Sequence, residues 1–149
     1  MLGLSWTSCR YLSLIICLLV IAWLDSRTLL IPDSLQLVIA LLALLRIPVE
    51  GERAIIDALL GSAGVFLPVL LLVLLMNKRL GKETMGGGDL KLMAGLGLHF
   101  GTVGAWQILT LACWLALPVA VWQRKQQQEI PFAPFLALAA IVVGALQLF

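Results

Sequence analysis

The chain has 149 residues, 62% of them hydrophobic, with ten Lys or Arg against eight Asp or Glu. Charged residues are 12% of the total, about half the share usual in a soluble domain, and mean hydropathy is +1.07; a water-soluble globule is excluded and a bilayer is the expected solvent. A net charge of +2 spread over scattered bases excludes a nucleic-acid partner, which would need a clustered basic stripe. Cys9, Cys17 and Cys113 lie in apolar runs without a CxxC pair, so neither a disulfide framework nor a zinc site is encoded, and no metal or cofactor is expected.

The first apolar block, Tyr11 to Leu24, reaches back to Leu4 if Arg10 snorkels to the surface. That gives the about 20 residues a membrane helix needs. Ala22-Trp23-Leu24 is not a small-residue cleavage site, and Arg10 is a lone base ahead of the block, so a secretory signal is a poor match. Further blocks run from Pro32 to Leu45, Leu59 to Met76, Leu92 to Trp122 and Pro131 to Phe149, with longer loops at Arg46 to Asp57 and Asn77 to Lys91. Leu92 to Trp122 is too long for one spanning helix and rather short for two.

Charge placement decides between them, because cytoplasmic loops collect Lys and Arg. With a hairpin turning near Phe100 to Gly104, one side holds Arg27, Lys78, Arg79, Lys82, Lys91, Arg124 and Lys125, and the other Arg10, Arg46 and Arg53. A single helix would divide the bases evenly. The expected fold is therefore all-α: a polytopic membrane protein of six transmembrane helices with both termini outside (periplasmic), forming one domain over residues 1–149.

Charges near membrane helices are costly, so each is a functional candidate. Asp25 closes the first helix in Trp23-Leu24-Asp25-Ser26-Arg27, and Asp89 opens the fourth in Gly86-Gly87-Gly88-Asp89-Leu90-Lys91. The topology puts both on the cytoplasmic face, free to meet. Two carboxyl groups held close cannot both ionise cheaply and share a proton. The ionised member can take a proton from water while the other polarises a carbonyl, which is acid and base catalysis of amide hydrolysis. The glycines before Asp89 let backbone approach closely. Taken singly, Asp25 reads more simply as a helix cap or interfacial charge and Asp89 as a carboxylate complementing a helix dipole. Gly81-Lys82 is followed by Glu83 where a nucleotide loop has Ser or Thr, and His99 falls on the outer side, away from both acids.

Asp25-x-Arg27 leading to Ile31-Pro32-Asp33, then Gly86-x-Gly88-Asp89-x-Lys91-Leu92 with Ala94 and Gly97, resembles the type IV prepilin peptidase family of aspartic membrane proteases. Lys82-Glu83-Thr84-Met85 is similar to that family as well. So is Ile130-Pro131-Phe132-Ala133-Pro134-Phe135-Leu136, with Ala133 where Gly is more usual. The resemblance implies an enzyme of the bacterial inner membrane that removes the leader from prepilin or pseudopilin substrates on the cytoplasmic side. It matches Asp25 and Asp89 to the catalytic pair, Gly86 and Gly88 to a flexible active-site loop, and Arg27 and Lys91 to basic positions beside each acid. These cations tune the pair, hold substrate charge, or set topology. Long members also carry a CxxC-bearing domain and methylate the new N-terminus. No CxxC occurs here, so cleavage without N-methyltransferase activity is expected. The rival readings are a small transporter subunit with a carboxylate proton relay, whose acids should lie near the midplane, and an inert assembly partner of the same fold.

Overall fold

A computed structural model describes residues 2–123 and 130–148. Arg124 and Lys125, expected on the cytoplasmic side, lie outside the described residues. The described elements are α1 (Leu2–Thr28), α2 (Asp33–Leu44), α3 (Ile47–Glu50), α4 (Glu52–Leu80), α5 (Gly87–Gln123) and α6 (Ala133–Leu148). Helices suit so apolar a chain because they satisfy backbone polar groups without water.

α1 continues almost one turn past Asp25 and ends before Leu29, whose φ of 53° is left-handed. Asp25 is consequently inside the helix and 4% exposed, not a cap at its end. Arg10, expected to snorkel outward, instead has a side chain only 12% exposed and lies 3.8 Å from Glu50.

α5 breaks at Gly101, with φ 72° and ψ −170°, inside the stretch where the sequence places a turn. Glycine is required there twice over: the left-handed φ disfavours a side chain, and a Cβ would stand 1.8 Å from Asp57 Oδ2. The first arm of α5 (87–100) runs alongside α2, as the pairs Asp33 with Lys91 and Arg46 with the His99 carbonyl show. It crosses α4 at Gly61 and Gly97. The second arm (102–123) begins at Asp57, which accepts the Thr102 N–H at 3.0 Å, and turns back along α4, where Trp106 approaches Gly64. α6 packs antiparallel to α1, with Ala133 at Asp25 and Ile141 accepting a hydrogen bond from the Tyr11 hydroxyl. The core draws on Leu14, Leu18 and Ile21 of α1, Leu92, Leu96 and Ile108 of α5, and Leu136 of α6, all buried. Leu19, Leu41, Leu67 and Leu72 are exposed, as a lipid-facing surface allows.

The expectation of six spans meets a shorter inventory. Among the described residues three helices are long and apolar enough to cross a membrane: Trp6–Thr28, Glu52–Leu80 and Gly87–Gln123, the last being the bent α5. α2 has 12 residues and α6 has 16, short of the about 20 that span the hydrocarbon unaided.

Candidate active site

Asp25 meets the start of α6. The Ala133 N–H donates to Asp25 Oδ2 at 3.2 Å. The local sequence explains why this amide is free. Pro134 in the first turn has no N–H, and the N–H groups of Phe135 and Leu136 both go to the Phe132 carbonyl at 3.1 and 3.2 Å. A helix start leaves its first amides without intrahelical partners, and here one of them serves a carboxylate 108 positions away in sequence.

Asp89 sits in the first turn of α5, its N–H bonded to the Gly86 carbonyl at 3.2 Å. Asp89 Oδ1 is buried without a hydrogen-bond partner. Such an orphan costs stability and is the kind of exception that calls for a functional explanation. Asp25 and Asp89 lie close enough to interact electrostatically. The fold thus places the two sequence-predicted acids at the same end, within electrostatic range, one carboxylate oxygen held by a main-chain donor and one left open.

The supporting positions distribute unevenly. Gly86 lies in the loop before α5, where a Cβ would be 3.9 Å from Asp89 Oδ2. Gly88 is in the first helical turn, not in the loop, and a Cβ there would press on Ile31 Cβ at 3.1 Å. Lys91 Nζ pairs with Asp33 Oδ1 at 2.8 Å, with the two side chains 58% and 76% exposed, a setting in which an ion pair adds little stability. Arg27 is exposed and lays its guanidinium 5.0 Å from the centre of the Trp23 ring. The recorded partners of Arg27 and Lys91 are therefore Trp23 and Asp33, not the two acids.

Sequence reasoning missed three contributors. Gln36 is buried in α2 and donates from Nε2 to the Gly88 carbonyl at 3.2 Å; its signal was a lone amide within Leu35 to Leu45. Asn77 Oδ1 accepts from both the N–H and the hydroxyl of Thr84, at 2.8 and 2.7 Å, tying down the loop before Asp89. Ala133 was visible as part of a motif, but a backbone donor leaves no trace in side-chain identity.

A second polar cluster forms at the opposite end. Arg46 donates to Glu50 Oε2 at 2.6 Å and to the His99 carbonyl at 2.9 Å, and lies 3.7 Å from Asp57. His99 belongs to this cluster through its carbonyl, at the end away from Asp25 and Asp89. Among the described residues no group of three or more His, Cys, Asp or Glu could hold a metal ion.

Residues 12–148 match the Type IV leader peptidase family. The chain belongs to that family. It is 36% identical to the prepilin leader peptidase/N-methyltransferase of Stutzerimonas stutzeri, over 94% of this chain and 50% of that protein. Its identity to the protein so named in Pseudomonas aeruginosa is 34%, over 92% of this chain and 49% of that one. For Xanthomonas campestris pv. campestris the figures are 32%, 95% and 51%. The chain spans about half the length of the curated relatives it matches. No solved structure matches it. Type IV leader peptidase membership and the three long apolar helices together make this a membrane protein.

Proposed function

We propose that this chain is an aspartic endopeptidase of the bacterial inner membrane that removes the leader peptide of type IV prepilins or pseudopilins on the cytoplasmic side. The reading is supported by Asp25 and Asp89, from helices far apart in sequence, lying at one end of the bundle within electrostatic range of each other, in a member of the Type IV leader peptidase family. One carboxylate takes a proton from water, whose oxygen attacks the scissile carbonyl. The other, as the acid, hydrogen-bonds the carbonyl oxygen, and the leaving amine departs with a proton returned from the pair. Gly86, in the loop before α5, gives an extended substrate close access, Gly88 lets the turn pack against Ile31, and Arg27 and Lys91 offer positive charge on the same face.

The six-span topology with both termini outside belongs to the same proposal. It treats residues 1–149 as a single membrane-embedded peptidase unit and the two arms of α5 as separate spans. The break at Gly101 and the return of the second arm along α4 support it. So does the separation of the polar groups into one end with Asp25, Asp33, Asp89 and Lys91 and another with Arg10, Arg46, Glu50 and Asp57. These 149 residues contain no CxxC pair, and we expect them to cleave without methylating.

Coexpression with candidate prepilins, with cleavage followed by gel shift and mass, tests the activity. Asp25→Asn and Asp89→Asn should each lower the rate by at least about 100-fold, the scale of acid and base catalysis, while the protein still inserts at normal levels. Wild-type cleavage by either variant would remove the paired-acid mechanism. A methylated mature product in the presence of S-adenosylmethionine would overturn the expectation about methylation.

A further inference from the structure

Asp89 has a placement problem. It follows three glycines, which offer no side chains to lock the start of α5 and cost more entropy to order than other residues. Something outside that run must fix the turn. Asn77 holds the loop ahead of the glycines at Thr84, and the contacts at the turn itself come from the segment that follows Asp25 in the chain: Ile31 fills the space a Gly88 side chain would need, and Gln36 Nε2 donates to the Gly88 carbonyl at 3.2 Å. Gly88 is the residue immediately before Asp89 in the chain.

Gln36 is also an expensive way to pack a helix. It is 9% exposed on a helix whose other buried residues are Ile39 and Ala43. Burying an amide there is unfavourable unless it is bonded, and an apolar side chain of similar shape would pack without that cost. Ile39, almost one turn further on, shows the apolar alternative: it packs against Gly95 of the same arm of α5.

Resting on the peptidase reading above, we propose that Gln36 is a positioning residue for the reaction. Its carboxamide holds the Gly88 carbonyl, and through it the turn that carries Asp89. The neighbouring Lys91 to Asp33 pair joins the same two helices but is exposed, so it cannot hold the turn with comparable rigidity. Misplacing a reacting group by about 1 Å can cost on the order of 100-fold in rate, so loosening this grip acts on turnover more than on substrate capture.

The test compares wild type with Gln36→Met, which keeps length and volume but cannot donate, and with Gln36→Glu, which keeps shape but loses the amide N–H. Purified proteins in detergent are assayed for kcat, KM and the pH profile of prepilin cleavage. Hydrogen–deuterium exchange of the peptide covering 86–92 is followed in parallel. Gln36→Met should lower kcat at least tenfold, leave KM within twofold, change the shape of the pH profile, and speed exchange of 86–92 with exchange in α1 unchanged. Unchanged kcat and exchange would overturn the proposal. A lower active fraction whose pH profile merely scales down would also overturn it, because that is the mark of general destabilisation. If wild type does not cleave any prepilin tested, the peptidase reading fails, whereas the exchange comparison still decides whether Gln36 holds the turn.

Discussion

The crossing of α4 with α5 offers a prediction that can be worked from distances. A Cβ added at Gly61 would stand 2.4 and 2.6 Å from the carbonyl carbon and oxygen of Gly101 and 2.7 Å from the Gly97 oxygen. All three are main-chain atoms that cannot rotate aside, and the closest is about 1 Å inside ordinary van der Waals contact. Gly61→Ala must therefore push α4 away from the first arm of α5 and from its break at Gly101. Overpacking of this kind costs about 1–3 kcal/mol. Gly64→Ala is the internal control: it lies on the same helix, gains the same helix propensity of about 1 kcal/mol, and its Cβ would meet only Trp106 Nε1 at 3.9 Å. The difference between the two variants isolates the clash. For a chain of this length it corresponds to about 3–10 °C in melting temperature, read by intrinsic tryptophan fluorescence in detergent. Equal melting temperatures for the two variants would refute the close crossing.

Two further predictions concern single groups. Ala133→Pro deletes the N–H that holds Asp25 Oδ2 at a helix position that tolerates proline; since a hydrogen bond to a charged group is worth about 1.5–3 kcal/mol, cleavage should fall at least about tenfold. Ala133→Gly keeps the donor and should stay within twofold of wild type, and equal rates for both variants would sink the role given to this amide. Asp57→Ala removes the acceptor for Thr102 N–H at the start of the second arm of α5, a loss of about 1–2 kcal/mol for a helix cap. Asp57→Asn keeps an acceptor and should lose less; no difference in melting temperature between the pair would show that capping is not what Asp57 contributes.

The two acids and the glycines beside one of them were legible in the sequence because charge is scarce in a membrane chain and every exception stands out. The turn at Gly101 was legible for a related reason: only one arrangement of that long apolar block kept seven of the ten basic residues on one side. The depth of Asp25 was not. α1 runs on to Thr28, and nothing local to Ser26-Arg27-Thr28 announces that continuation. Arg10, expected to reach the surface, is drawn inward by Glu50 because α3 brings that carboxylate to it. Arg27 and Lys91 look equivalent beside their acids in sequence, yet the fold gives one an aromatic ring and the other Asp33.

Composition alone determined the solvent, and charge placement determined which carboxylates could share a face, because desolvating a charge in a bilayer is too costly to be accidental. Tertiary structure decided what holds them. Asp25 takes a main-chain donor from α6 and the turn carrying Asp89 takes a side-chain donor from α2, both across long sequence separations. Those assignments depend on which helices are neighbours and at what register. Periodicity does not encode that choice, since lipid and protein neighbours are equally apolar to a helix face.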